Sequence, residues 1–214
     1  MSVKIRSAHV QDAFFLARIM LMAGRGYVEQ GIWDIILGQP DDGCLAFLER
    51  LCTTKKPHLF HSSGFLIAEV DRHPVAALGG FDPSTSGMKA LIDALPEVFQ
   101  ELAIPEANYA AGFQRYLRIL PGIPHLTDDA WIIDSVATLP EFRRRGMVNL
   151  LLDNIIDRGQ QQGFRRAQLT MHIGNIAAQR AYEKHGFKVV EERRHPDFES
   201  LVGAPGMLHL ICDF

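Results

Sequence analysis

The apolar positions between residues 131 and 190 follow two alternating periods, and the most unusual residues stand where one period gives way to the other. Residues 131–139 (W-I-I-D-S-V-A-T-L) are apolar and β-branched, as a buried strand requires, and Pro140 ends the run because proline has no N–H to give a ladder. Val148, Leu151, Leu152, Ile155 and Ile156 then recur at helical spacing, which predicts an amphipathic helix closed by Gly159 or Gly163 as a left-handed residue. Residues 166–172 alternate again, with Ala167, Leu169 and Met171 on one face of a half-buried strand. Gly174-Asn175 breaks that strand. Residues 176–185 read as a helix with Asn175 as N-cap and Gly186 just past its end, and Phe187 begins another strand.

The rest of the chain supplies strands and helices around this segment. Residues 3–6 form a short alternating strand, and a helix over 10–22 holds Asp12 in its first turn and ends at Gly24 and Gly26. Residues 27–38 read as a loop carrying Tyr27, Glu29, Trp33 and Asp34, folded over the core or over a ligand. Asp42 is placed to cap a helix over 43–53 with Leu45, Leu48 and Cys52 on one face. Residues 64–70 and 74–81, separated by Asp71-Arg72-His73, predict an antiparallel hairpin. From 82 to 129 the pattern is helical, with segments 88–95, 96–103 and 105–120 bounded by proline or glycine. The last strand covers 207–214, and the polar stretch 195–206 joins it to the strand 187–193.

Composition narrows the classes. A chain of 214 residues that is 47% hydrophobic buries a sizeable core and is most simply one domain. With 22 basic and 25 acidic residues the net charge is −3, which does not suggest a nucleic-acid partner. Cys44, Cys52 and Cys212 lack metal or redox spacing and read as buried thiols of a reducing compartment. His58 and His61 complete no zinc pattern, so no metal is expected. Asp12 and Arg18 interrupt the early apolar run, and nothing approaches the ~20 apolar residues of a membrane span, so the expectation is a cytoplasmic protein that neither enters nor anchors to a membrane.

The candidate chemistry sits in the turn Glu141-Phe142-Arg143-Arg144-Arg145-Gly146-Met147-Val148. Three consecutive arginines alone are most often a solvated turn. Here they stand between a strand and a helix, where free N–H groups and the positive end of the helix dipole suit a phosphate, and Gly146 permits close backbone approach.

Two elements together resemble the GNAT superfamily of acetyl-CoA-dependent N-acetyltransferases. The family's Q/R-x-x-G-x-G/A is matched by Arg143-Arg144-Arg145-Gly146-Met147-Val148, and its N-x-x-A-x-x-x-Y-x-x-x-G-F by Asn175, Ala178, Tyr182, Gly186 and Phe187, in the family's order and spacing. The opening I-R-S-A-x-x-x-D-A is similar too. The departure is Val148, where the family usually has glycine or alanine and where a branched side chain crowds the diphosphate.

The resemblance implies an α/β (α+β) fold: a mixed, mostly antiparallel central sheet flanked by helices, in a single domain over 1–214. A helical insertion at about 83–129 falls between the third and fourth strands, to cover the acceptor side of the site, to make a homodimer contact, or simply to pack. Acetyl-CoA is the implied co-substrate. Backbone N–H groups from Arg144 to Asn149 would hold its diphosphate, with Arg143 or Arg145 adding charge. The pantetheine arm would lie along Val136, Ala137 and Thr138, with the N–H of Val136 on the thioester oxygen. Asn175, Ala178 and Tyr182 belong to the same site, and Tyr182 is the family's proton donor to the departing thiolate, although a packed core tyrosine fits its spacing as well. Asn175 has a plain helix-capping alternative. The acceptor would be a primary amine on a small molecule or peptide, in a pocket that the region of Tyr27, Glu29, Trp33 and Asp34 lines in the family.

An amine resembling lysine has a pKa near ~10.4 and must lose a proton before it attacks. Asp134 is the candidate base because it stands two residues before Val136 and shares its face if the strand is regular. Glu29, Asp34, Glu97, Glu101, Asp128 and Asp129 compete for the role. Two other readings stand beside the enzyme: a non-catalytic acetyl-CoA-binding sensor or regulatory module, which Val148 favours, and a site for another nucleotide, for which no complete P-loop or dinucleotide fingerprint is present.

Overall fold

The computed structural model describes residues 2–214. Strands β1 (Val3–Ser7), β2 (Phe65–Val70), β3 (His73–Phe81), β4 (Trp131–Thr138), β5 (Arg166–His172), β6 (Lys188–Arg194) and β7 (Gly206–Asp213) form one sheet in the order β1-β2-β3-β4-β5-β7-β6. Every pairing is antiparallel except β4 with β5. This is the mixed, mostly antiparallel sheet that the resemblance implied.

Alternation along the strands sorts side chains onto two covered faces. Phe65 and Ile67 of β2 enter a core with Leu16, Ile19 and Met20 of α1 (Ala13–Arg25) and Leu48 and Leu51 of α3 (Asp41–Leu51). Leu66, Ala68 and Val70 of the same strand point the other way, toward Leu151, Leu152 and Ile155 of α7 (Met147–Gln161). The expected hairpin closes through Asp71 and Arg72, both left-handed at φ 49° and 69°, as a two-residue turn between right-twisted strands requires. Gly163, at φ 91°, is the left-handed residue beyond α7. Gly159 lies inside that helix for a different reason: a Cβ there would stand 2.8 Å from the Trp131 ring, so its absence lets the helix settle on the sheet.

Several local expectations give way to tertiary contacts. The stretch 27–38 contains a helix, α2 (Ile32–Leu37), whose first turn is closed by Asp34 accepting the Gly31 N–H at 2.7 Å. Helix α3 begins at Asp41 with Pro40 at its N-cap, so Asp42 is not the cap. In the insertion, α4 (Pro83–Ser86) precedes α5 (Met88–Glu101), which runs straight through Pro96, and α6 (Glu106–Ile119) follows. The proline removes one helical bond, but Leu91, Ala94 and Val98 form a buried stripe on both sides of it. The connection 195–206 contains α9 (Pro196–Val202), started by Pro196 and ended by Gly203 at φ 83°, which buries Phe198 and Val202 against Ile119 of α6. Strand β5 is buried on both faces rather than half-buried. Its Gln168 is fully enclosed, with Oε1 accepting from the Thr127 N–H at 2.9 Å and Nε2 donating to the Thr127 carbonyl, so the end of the insertion is tied to the sheet.

Among the described residues no helix is long and apolar enough to cross a membrane, and no three His, Cys, Asp or Glu side chains gather as a metal site would need. All three cysteines are free and buried.

Candidate active site

Strands β4 and β5 pair only at Trp131 with Ala167 and Ile132 with Gln168, and then part. On its other side β4 carries a bulge: Ala77 opposes Ala137 and Gly79 opposes Asp134, so Ser135 and Val136 face the single residue Leu78. Ser135 takes the extra position with φ 54°. The bulge inverts the alternation, since Ile132 packs in the α1 core and Val136, four residues on, packs toward α7. Asp134 and Val136 therefore do not share the face that a regular strand would give them.

The parted strands open a cleft of about 1930 Å³ whose lining includes residues 134–138, Arg143, Arg144 and residues 146–149. Here the turn from β4 into α7 leaves backbone N–H groups open. Arg143 donates from Nε to the Thr138 carbonyl at 3.3 Å, Arg144 and Gly146 are left-handed at φ 60° and 81°, and α7 begins at Met147. The N–H of Leu150 bonds to the Gly146 carbonyl at 3.2 Å, which leaves the N–H groups of the first turn before it outside the helical ladder. A Cβ on Gly146 would meet no atom within 4 Å, so the turn is open to a ligand. The Thr138 hydroxyl is buried without a hydrogen-bond partner and lines the same cleft. Open N–H donors and a spare hydroxyl fit a phosphate-bearing ligand with a polar arm. Arg145 does not line the cleft; its guanidinium lies 5.1 Å over the Phe142 ring. Val148 lines the cleft but also packs on the α7 side of the core, which takes up part of its bulk.

Across the split, α8 (Ile176–Lys184) brings Asn175, Ala178 and Tyr182 to the cleft. Asn175 caps the helix, its Oδ1 accepting the Ala178 N–H at 3.3 Å. Tyr182 is buried with its ring edge-on to Phe187, the centroids 6.1 Å apart. Burial first, and the charge of Asp134 second, push its phenol above the ordinary range, so it remains protonated at neutral pH. Burial likewise raises the pKa of Asp134, opposed by hydrogen bonds from the Ser135 hydroxyl, at 2.7 Å, and its N–H.

Of the four residues expected at an acceptor pocket, the structure brings Tyr27 and Trp33 to the cleft and leaves Glu29 and Asp34 outside it. Tyr27 donates its hydroxyl to the Ile173 carbonyl at 2.6 Å, and Trp33 meets Phe60 edge-on at 4.9 Å. Asp34 is used up by the α2 cap and by Arg25, 2.6 Å away, and Glu29 is exposed beside a separate shallow pocket. Glu97 and Glu101 pair with Arg50, and Asp129 with Arg166 at 3.5 Å, whereas Asp128 reaches the cleft. Sequence reasoning missed His172. It ends β5 on the face expected to be solvated, yet it is buried in the cleft wall with Nδ1 unpartnered, and burial holds its pKa down to about 4.

The split sheet, the bulged β4 and the open N-terminus of α7 thus meet at one cleft. Residues 38–187 match the family model described as Acetyltransferase (GNAT) family, and the chain belongs to that family. No curated protein matches the sequence. Among solved structures, an acetyltransferase is 18% identical with a TM-score of 0.70, covering 98% of this chain and 98% of its own. The N-acetyltransferase of Staphylococcus aureus Mu50 is 21% identical, also at 0.70, covering 97% of this chain and 99% of its own. The PaiA N-acetyltransferase of Thermoplasma acidophilum, in complex with coenzyme A, is 11% identical at 0.51, with full coverage of both chains. At these identities the likeness is one of fold.

Proposed function

We propose that this protein, a single cytoplasmic domain, moves the acetyl group of acetyl-CoA to a primary amine by direct attack. The observation that carries the reading is the split between β4 and β5, which places the N-terminus of α7 and the pair Asp134 and Tyr182 on one cleft. The coenzyme A in the PaiA structure supports the donor. The N–H groups of 144–149 hold the diphosphate, with Arg143 and Arg144 adding charge, and Val136 to Thr138 offer the edge of β4 to the pantetheine arm. When bound, acetyl-CoA supplies the acetyl group as a thioester, polarised by the Val136 N–H. Asp134, directly or through a water, takes the proton of the amine, and Tyr182 returns one to the thiolate. Asn175 shapes α8, and Ala178 leaves room beside it.

Thiol release from acetyl-CoA, measured against a panel of amines, tests this. The expected result is release that depends on the amine. A saturable acetyl-CoA-induced rise in melting temperature with no release for any amine would assign a sensor instead.

A further inference from the structure

The half of the cleft away from α7 is apolar well beyond what an amine needs. Helices α5 and α6 of the insertion line it with Met88, Ile92, Tyr109 and Phe113, which remain 42% to 56% exposed. Trp33 and Phe60 line it too. Apolar side chains left in water along one concavity mark a surface awaiting an apolar ligand. Charge is sparse by comparison. Among the described residues the carboxylates lining the cleft are Asp134 at the bulge and the exposed Asp128, while Glu97 and Glu101 of α5 turn to Arg50. A polyamine, or a peptide carrying several cations, would bring ammonium groups to a wall with almost nothing to pair them.

Resting on the acetyltransferase reading of this site, we propose that the acceptor is a monoamine with one ammonium head and a large apolar or aromatic body. The head lies at Asp134 and the body runs along α5 and α6, covering Met88, Ile92, Tyr109 and Phe113. In the transfer the amine nitrogen bonds to the acetyl carbon as the C–S bond breaks. The ammonium gives one proton to Asp134 before the attack, the thiolate sulfur takes the Tyr182 proton, the second proton that the nitrogen sheds on becoming an amide passes through water to the Tyr182 phenolate, and Asp134 releases its proton to solvent. The insertion thereby sets specificity through the area of apolar surface it buries.

The test uses the full chain, acetyl-CoA and linear alkylamines from butyl to octyl, which share one amine pKa, with phenethylamine, tryptamine, lysine and spermidine beside them. The expected result is that kcat/KM rises roughly threefold to fourfold per added methylene until the cleft is filled, that the aromatic amines follow, and that spermidine and lysine are poor. Ile92→Lys and Phe113→Glu, at exposed helical positions that tolerate charge, should flatten the rise, with circular dichroism and the acetyl-CoA melting shift reporting that they fold. Turnover of spermidine or lysine equal to that of octylamine overturns the acceptor class and leaves acetyl transfer standing. Preference for octanoyl-CoA over acetyl-CoA with butylamine overturns it as well, because the cleft then houses the acyl chain. So does a dimer, seen by sedimentation, that Ile92→Lys dissociates while chain length has no effect. Calorimetric binding of the amines to the CoA-loaded protein separates the remaining failures: affinity that grows with chain length, without turnover, keeps the apolar amine and overturns the transfer, and no binding overturns both.

Discussion

Ser135 gives its hydroxyl to Oδ1 of Asp134 at 2.7 Å while its own backbone is left-handed at φ 54°. The residue that inverts the alternation of β4 is thus the one that partners the half-buried carboxylate. Ser135→Ala removes a hydrogen bond that holds the Asp134 pKa down, so the acid limb of the kcat/KM profile should move to higher pH, because the base then ionises later. Ser135→Val puts a β-branched residue in the left-handed region and should cost about 1–3 kcal/mol in urea unfolding. An unmoved limb in the alanine variant would separate Ser135 from the proton chemistry.

Asp134→Asn should make the protein more stable and less active. Burial raises the carboxyl of the folded protein above its unfolded value of ~3.9. The folded state then keeps a proton that the unfolded chain gives up, so stability is lost as pH rises from the unfolded value through the folded one, and that cost persists at neutral pH. Asparagine carries no charge to bury and still accepts from Ser135. Its melting temperature should exceed the wild type's at pH 7 and meet it near pH 3. Turnover should fall and partly recover at high pH, less steeply for an acceptor of lower pKa. A lower melting temperature at pH 7 would make Asp134 a structural residue.

Tyr182→Phe deletes the phenolic proton and keeps the ring against Phe187. Turnover should drop on the order of a hundredfold, with KM for acetyl-CoA changed little. Full activity across the pH range would leave Tyr182 a packing residue.

Gly146→Asp tests the anion cradle. Space around Gly146 is open, so the cost to folding is the left-handed backbone alone, roughly 1–2 kcal/mol. The carboxylate repels a diphosphate at the same spot, and the acetyl-CoA-induced rise in melting temperature should vanish. Equal shifts in the folded variant and the wild type would place the phosphates elsewhere.

Acid should destabilise the protein through two buried imidazoles. Burial holds His58 and His172 down to about 4 from an ordinary 6.5. Between those values the unfolded chain binds protons that the folded protein refuses, so stability falls as pH drops through that window. His58→Gln and His172→Gln should each remove about one proton from the uptake on unfolding near pH 5, read from the slope of unfolding free energy against pH.

The family, the sheet and the open turn before α7 were legible in the residues because their causes are local. Pro140 ends β4, Gly146 and the arginines open α7, Asn175 caps α8, and Asp71-Arg72 turns the hairpin, each acting within a few positions of itself. The motif spacing follows from the same short-range chemistry, which any chain of this fold repeats.

Tertiary structure decided what depends on partners far along the chain. Asp34 turns from the cleft to Arg25 and the α2 cap, Glu97 turns to Arg50, 47 residues away, and Pro96 stays inside a helix because a buried stripe crosses it. His172 became a cleft residue only when Tyr27 and Phe198 covered the face of β5 that alternation assigned to water, and Gln168 on that face was enclosed by Thr127, 41 residues distant. The bulge at Ser135, which parts Asp134 from Val136, is a matter of register between β3 and β4. Period and propensity specify which elements form. Which side chains meet in the cleft is set by the packing of those elements, where one inserted residue reverses a face and one distant arginine redirects a carboxylate.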